Sequence, residues 1–553
     1  VKLELSKNAL TLLKKRYLLE GESPEELFRR VAKAVASVEK RYGGDSVATE
    51  EEFFRIMAGL EFLPNSPTLM NAGATGQLSA CFVLPIDDSL DSIFTTLKNA
   101  VMIHHSGGGV GFNFSNIRPK GDLIKTTNGF ASGPLNFLKV YDSATEVVKQ
   151  GGKRSGANMA VLDYDHPDIL EFTNAKQKGG LSNFNISIAL SDSFMRKVIA
   201  DSSYWLVNPH DDKRVCRVKA RKIFNQIAKR AWENGDPGVI FIDEVNRKHP
   251  LNDYVSSTNP CGEQPLLDYE SCNLGSINLA KMVINKTINW ARLDYVARLA
   301  VRFLDNVIDV NKFPLTKIKE LTLLNRKIGL GVMGFADLLF QLKVPYDSKK
   351  ALKIADKIMK FINSKARSES ALLGKKKGSF PNLKYSKFKR KHMRNATVTT
   401  IAPTGSISLI ADCSPSIEPL FALTFMRKML DDSFMLEVNK YFKKAAKING
   451  VSINEVSKKG SIQKVRASKE LKRVFKTALD IKPEWHVKMQ AAFQKHVDNA
   501  ISKTVNMPNK ATIKDVAEVI MLAYKLKCKG ITVYRYGSKP EQVLTLSCKG
   551  ECD

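Results

Sequence analysis

Three cysteines in short, distinctive frames carry the chemistry open to this chain. Asn259-Pro260-Cys261-Gly262-Glu263 sets a thiol two positions from a side-chain amide and two from a carboxylate. Cys272 follows eleven residues later, in Tyr269-Glu270-Ser271-Cys272-Asn273-Leu274-Gly275-Ser276-Ile277-Asn278. Far upstream, Cys81 sits in Leu78-Ser79-Ala80-Cys81-Phe82-Val83-Leu84. A reaction that needs one reactive sulfur, one base and a reducing dithiol would draw on this inventory. An isolated cysteine is ordinarily a small buried hydrophobe, and that reading is assigned to Cys216, Cys413 and Cys528. Zinc is not expected, because no paired CxxC or neighbouring histidine set supplies four ligands.

Other motifs need positions around these thiols. Ser66-Pro67-Thr68-Leu69-Met70-Asn71-Ala72-Gly73, Ser106-Gly107-Gly108-Gly109-Val110-Gly111 and Gln150-Gly151-Gly152-Lys153-Arg154-Ser155-Gly156-Ala157 precede the central frames, and Ala402-Pro403-Thr404-Gly405-Ser406-Ile407-Ser408 follows them. The last runs from an apolar strand into a helix start, where free N–H groups and hydroxyls suit an anion such as phosphate. Gly329-Leu330-Gly331-Val332-Met333-Gly334 satisfies GxGxxG, but Arg326 and Lys327 stand where a dinucleotide fold would have buried strand. It reads instead as helix packing. No GxxxxGK[ST] phosphate loop is present.

The elements that must position these residues alternate. Residues 1–60 read as helical: Ser23-Pro24-Glu25-Glu26 combines an N-cap, a first-turn proline and a capping-box glutamate, with Leu27, Val31, Ala34, Val35 and Val38 at helical spacing. Beyond Pro64, amphipathic helices such as 89–105 alternate with apolar strands at 157–162, 239–242 and 396–401, which predicts an α/β fold rich in parallel sheet. A lysine-rich helical annex is expected around 435–500. Gly530–Gly537 reads as a last strand before a polar tail, 541–553, ending Ser547-Cys548-Lys549-Gly550-Glu551-Cys552-Asp553.

Composition narrows the class. The chain has 553 residues, too many for one ordinary core, and 43% hydrophobic with 26% charged residues reads as globular. No stretch has the length and apolarity of a membrane span. Eight cysteines are too sparse for a secreted disulfide scaffold, so a reducing cytoplasm is expected. The net charge of +30 suits polyanionic partners. The basic run 384–394 interleaves Tyr385 and Phe388, but without a recognised nucleic-acid motif it reads as a solvated face.

Together, in this order, the motifs resemble ribonucleotide reductase catalytic subunits, most closely the adenosylcobalamin-dependent (class II) branch, from about Pro64 onward. The resemblance implies a ten-stranded α/β barrel over 61–540 with Cys261 on a loop through its centre. It implies that Cys261 is the thiyl site, that Glu263 takes the 3′-hydroxyl proton and that Asn259 holds the ribose hydroxyls. Cys81 and Cys272 would protonate the departing 2′-hydroxyl, supply two electrons and end as a disulfide, which needs Cα atoms within about 4.4–6.8 Å. Ser66, Ala80, Cys81, Gly109, the run from Asn259 to Glu263 with Pro260 and Gly262, and Pro403, Thr404, Gly405, Ser406 and Ile407 match substrate-contacting positions. Asp88, Arg118, Lys153 and Arg154 match effector-site positions. His105 stands where relatives can carry lysine.

The tail pair Cys548 and Cys552 fits a dithiol that re-reduces the active-site disulfide. Its CxxxC spacing departs from the family's CxxC, leaving half of a zinc ribbon or incidental thiols as alternatives. Class I subunits receive a radical through an adjacent tyrosine pair, whereas Tyr534 and Tyr536 are separated by Arg535. Class II with adenosylcobalamin is therefore expected, and class I with a separate radical-generating subunit is the alternative. More remote are a nicotinamide dehydrogenase and a basic nucleic-acid-binding protein. The expected partners are ribonucleotide substrates (diphosphates), deoxynucleotide effectors, a thioredoxin-like reductant and a second copy of the chain.

Overall fold

In this computed structural model the described residues are 3–74, 76–124, 128–148, 156–177, 179–388, 391–428 and 434–539. Helices α1 (Lys7–Arg16), α2 (Pro24–Ala36) and α3 (Ser46–Ala58) open the chain. The capping box expected at Ser23 forms, with the Ser23 hydroxyl accepting from Glu26 N–H and the Glu26 carboxylate accepting from Ser23 N–H. Leu27, Val31, Ala32 and Val35 are fully buried, sharing one apolar core with the helix α6 (Trp290–Val310). Between them come α4 (Ser66–Asn71) and α5 (Leu90–His105), the latter capped by Ser89.

Ten strands form the main sheet: β1 (Phe62–Pro64), β2 (Cys81–Val83), β3 (Gly109–Asn113), β4 (Asn158–Asp163), β5 (Phe184–Leu190), β6 (Gly238–Phe241), β7 (Ser271–Asn278), β8 (Ile328–Met333), β9 (Thr504–Met507) and β10 (Gly530–Arg535). Strands β2 to β6 run parallel in sequence order. β7 and β8 form a second parallel pair, and β9 and β10 a third. Antiparallel contacts of β2 with β7 and of β6 with β10 join these groups, while β1 lies alongside β7. The ring closes through the extended residues 397–401: Leu330 pairs with Thr399 and Ile401 with Ile501, both in parallel sense.

That last stretch differs from expectation, since 396–401 is extended without being a regular strand. The N–H groups of Val398 and Thr399 donate to the Asp498 carboxylate instead of to a neighbouring strand. The GxGxxG run is also corrected. Its residues 329–333 lie in strand β8, fully buried, and are not helix packing, while Gly334, at φ +76°, leads into the helix Phe335–Gln341. Its glycines admit the closing segment: a Cβ on Gly331 would lie 2.4 Å from the Thr400 carbonyl oxygen, and one on Gly329 would lie 2.6 Å from Gln264 Nε2. Cys216, expected to be buried, is exposed on the strand Arg214–Lys219, whereas Cys528 is buried and Cys413 half-buried.

Helices Lys440–Ile448, Ile453–Lys459 and Lys469–Val474 gather around Phe442, Ile462 and Phe475, with Phe340 and Leu423 completing a separate apolar cluster. Phe388, in the basic run, lies edge-on to Phe380 and under the Arg367 guanidinium. Among the described residues no helix is long and apolar enough to cross a membrane.

Candidate active site

The loop from Asn259 to Gln264 joins the short antiparallel pair Ser257–Thr258 and Pro265–Leu266 and passes through the middle of the ring. Opposite sides of the ring hold it. A Cβ on Gly111 of β3 would lie 1.7 Å from the Thr258 carbonyl oxygen, and one on Gly109 would lie 2.9 Å from Pro260 Cγ. Only hydrogen in place of a side chain allows this approach. From β5, Asn185 Nδ2 donates to the Pro260 carbonyl at 2.7 Å. Across the ring, the Glu263 carbonyl accepts from Thr400 Oγ1 at 2.8 Å and from Ala500 N–H at 3.0 Å. Gly262, at φ +78°, turns the tip, where its N–H donates to the Asn259 carbonyl. The Asn259 side-chain oxygen accepts from Gln264 N–H at 2.9 Å. The loop is thus fixed at both shoulders, with Cys261 exposed at its tip and Glu263 buried.

Cys81 on β2 and Cys272 on β7 are register partners. Directly opposite residues of antiparallel strands stand about 4.5–5.5 Å apart at Cα, within the range a disulfide spans. Asn259 Nδ2 lies 3.1 Å from Cys81 Sγ, so the loop's amide touches the pair. The Cys272 thiol is buried, donating to the Asn273 carbonyl at 3.2 Å and towards the Lys327 carbonyl at 3.6 Å. Burial pushes its pKa well above the usual thiol range; the Lys327 ammonium opposes this, and the Glu270 and Glu263 carboxylates add to it. Cys272 therefore keeps its proton at neutral pH.

Cys261 and Pro260 stand in the wall between two cavities. One, of 310 Å³, is lined by Ser66, Ala80, Cys81, Gly109, Asn259, Pro260, Cys261, Glu263 and the run from Pro403 to Ile407. It brings together all the expected substrate contacts except Gly262, which lines the other cavity. Thr404, in the left-handed region at φ 55°, precedes the helix Gly405–Ile410 and accepts from Ser416 N–H at 2.7 Å. A Cβ on Gly405 would meet nothing within 4 Å, so the space over this turn is open. Sequence reasoning missed Arg16, Tyr17, Asn65 and Ser276 in the lining. Tyr17 and Ser66 share a hydrogen bond of 2.8 Å between hydroxyls. No local motif marks Arg16 or Tyr17.

The second cavity, of 570 Å³, has apolar walls from Met159, Ile186, Val239, Ile501 and Phe421, with Asn185, Ser187 and Asn506 among its polar groups. Lys529 is buried there and donates to the Asp498 carbonyl at 2.6 Å; burial lowers its pKa to about 7. Asp88 and Arg118 lie outside both cavities, paired at 2.7 Å, with His210 Nδ1 3.2 Å from the same carboxylate. Lys153, Arg154, Cys548 and Cys552 lie outside the described residues. Among those described, no group of three or more His, Cys, Asp or Glu side chains could hold a metal.

The family descriptions "Ribonucleotide reductase, all-alpha domain" and "Ribonucleotide reductase, barrel domain" match residues 3–77 and residues 79–393 with 386–534. The chain belongs to the ribonucleotide reductase family. It is similar to the vitamin B12-dependent ribonucleoside-diphosphate reductase of Thermoplasma acidophilum, 46% identical over 98% of this chain and 80% of that one. The enzyme of the same description from Mycobacterium tuberculosis is 48% identical over 98% of this chain and 81% of its own. Among solved structures, the class Id ribonucleotide reductase alpha subunit of Actinobacillus ureae superposes with a TM-score of 0.81 at 26% identity, covering 96% of this chain and 97% of that one. The barrel read from the motifs agrees with these matches.

Proposed function

We propose that this ribonucleotide reductase converts ribonucleoside diphosphates to 2′-deoxyribonucleotides with adenosylcobalamin and no radical-generating subunit. The observation that carries the reading is Cys261 in the wall between two cavities, with Glu263, Asn259 and Cys81 around one of them. The second cavity fits the adenosyl part of the cofactor: its volume lies in the range of about 300–1,000 Å³ typical of small-molecule sites, and its walls offer apolar faces edged by amides, hydroxyls and charged groups such as Asp236, Glu418 and Lys503. Met159, Ile186, Val239, Asn185 and Asn506 would hold it. When bound, adenosylcobalamin supplies radical chemistry that side chains lack.

On the substrate side, Cys261 exchanges one hydrogen atom with C3′ of the ribose and recovers it at the end. Glu263 takes the 3′-hydroxyl proton, and Asn259 orients the hydroxyls through an amide already fixed by Gln264. The Cys81–Cys272 pair gives up two protons and two electrons: the C2′–O bond breaks, water leaves, and one S–S bond forms. A protonated Cys272 suits this demand. Hydroxyls and N–H groups from Thr404 to Ile407 receive the phosphates, and Ser66, Ala80 and Gly109 complete the walls. Asp88 and Arg118, with Lys153 and Arg154, belong to a deoxynucleotide effector site in a homodimer, and a thioredoxin-like protein supplies electrons through the tail. The division into a helical region to residue 60, a barrel over 61–540 with its annex, and a redox tail over 541–553 is part of this reading.

An anaerobic assay with each ribonucleotide form and adenosylcobalamin tests it. Deoxynucleotide should form with the cofactor and a dithiol reductant but no second subunit, and Cys261→Ser should eliminate turnover while binding nucleotide nearly as well. Activity only with an added metal-containing subunit would move the chain to class I. Product from the folded serine variant would remove the thiyl role.

A further inference from the structure

The cavity over Cys81 and Glu263 is built mostly by the ring, yet one wall comes from the first helix. Helix α1 packs against the helix Gly405–Ile410, and its C-terminal end delivers Arg16 and the following Tyr17 to the lining. Among the described residues lining this cavity, Arg16 is the only cation and Glu263 the only carboxylate. A nucleoside diphosphate carries about three negative charges near neutral pH, so the pocket otherwise meets them with neutral donors. The Arg16 side chain is exposed and makes no hydrogen bond or ion pair among the described residues. Glu22, six positions on in the chain, is taken by Arg30 and by Leu19 N–H. Its placement at a helix C-terminus, where backbone carbonyls would repel phosphate, makes a cation there more significant. Lys14 and Lys15 in the same turn add to the positive field.

We propose that α1 is part of the substrate site, with Arg16 binding the terminal phosphate of a nucleoside diphosphate and Tyr17 positioning Ser66. The proposal rests on the reading of this cavity as the ribonucleotide site. A guanidinium presents two parallel donors to phosphate oxygens, a stronger and more directional contact than neutral hydroxyls make. It therefore distinguishes a diphosphate from a monophosphate, whose single phosphate would be held by the turn from Thr404 to Ser406. Tyr17, buried and bonded to Ser66 at 2.8 Å, holds that hydroxyl at the cavity wall and fixes the end of α1 against the ring. Access to the cavity is then coupled to the docking of the N-terminal helices.

Equilibrium dialysis of CDP and CMP with the full chain, without adenosylcobalamin so that nothing turns over, tests this. Arg16→Gln should weaken CDP binding by about tenfold or more while changing CMP binding by no more than about threefold, the loss expected for one charge-assisted contact. Arg16→Lys should recover part of the CDP affinity. In the assay with cofactor, Arg16→Gln should raise KM for CDP and leave kcat within about twofold, as uniform binding requires. Equal CDP affinity in Arg16→Gln and the unaltered chain overturns the assignment, as does an equal loss for CDP and CMP. If the unaltered chain binds neither nucleotide, the ribonucleotide reading of the cavity fails as well, an outcome distinct from an unaltered chain that binds CDP and a variant that does so equally.

Discussion

Cys81 and Cys272 face each other across the antiparallel contact where β2 meets β7, the seam between two parallel groups of strands. A seam of this kind places two residues 191 positions apart in sequence side by side with no loop to adjust. The pair should therefore oxidise with little backbone movement. After one anaerobic turnover of pre-reduced protein, peptide mapping should recover a Cys81–Cys272 disulfide in proportion to product. Cys81→Ser or Cys272→Ser should prevent normal product formation even in the first round. A disulfide joining either residue to Cys261 would contradict the arrangement.

The central loop depends on an absent side chain. Gly111 leaves no room for a Cβ against the Thr258 carbonyl, a backbone atom that cannot rotate away. Gly111→Ala should push the loop, and Cys261 with it, away from its present position. A displacement of about 1 Å at reacting atoms can cost about 100-fold in rate. The variant should thus lose most turnover while keeping near-native circular dichroism. Gly109→Ala, which meets only the Pro260 ring edge at 2.9 Å, should be milder. Undiminished kcat in Gly111→Ala would mean that the loop is held differently.

Local order explains what could be read beforehand. Ser23 and Glu26 announce the start of α2, Ser89 caps α5, and the frames around Cys81, Cys261 and Cys272 mark the chemistry. Those signals are local, and the structure keeps them. The closure of the ring is not local. Residues 397–401 bond partly to the Asp498 carboxylate, about a hundred positions away, so their apolar pattern promised a ladder that a side chain partly replaces. Gly329 and Gly331 fit the GxGxxG dinucleotide pattern, yet they serve the close approach of Thr400 and Gln264. Arg16 carries no motif at all. It becomes a cavity residue only because α1 folds back onto the helix Gly405–Ile410.

Burial of Lys529 ties stability to pH. Its pKa falls to about 7 in the folded chain from 10.5, with burial the main cause; the Lys248 and Lys327 charges add to the fall, and Asp498 and Glu244 oppose it. Between those values the unfolded chain holds a proton that the folded chain has lost, so stability rises with pH across that window and the contribution is flat on either side. Lys529→Met should remove this dependence. The stability difference, variant minus unaltered chain, should be most favourable to methionine near pH 6.5 and shrink towards pH 9.5, as read from urea midpoints. A difference independent of pH would show that Lys529 keeps its charge in the folded chain.

Cys548 and Cys552 lie outside the described residues, and the ring sets a condition on how they act. Both sulfurs to be re-reduced are buried, but Cys81 lines the substrate cavity whereas Cys272 does not. Thiol–disulfide exchange proceeds by attack of a thiolate on an accessible sulfur, with the partner leaving. An incoming thiol should therefore bond to Cys81 and release Cys272; burial disfavours the Cys272 thiolate and Lys327 offsets this only in part, so Cys272 leaves as it takes up a proton. Replacing both tail cysteines by serine should permit one round of reduction in a pre-reduced enzyme and abolish multiple turnover with a thioredoxin-like donor. A small dithiol that enters the cavity should restore turnover. With only one tail cysteine replaced, a mixed disulfide between the remaining tail cysteine and Cys81 should be trapped and recovered by peptide mapping. Full multiple turnover of the double variant with the protein donor would end the shuttle role. A mixed disulfide on Cys272 would reverse the order of attack.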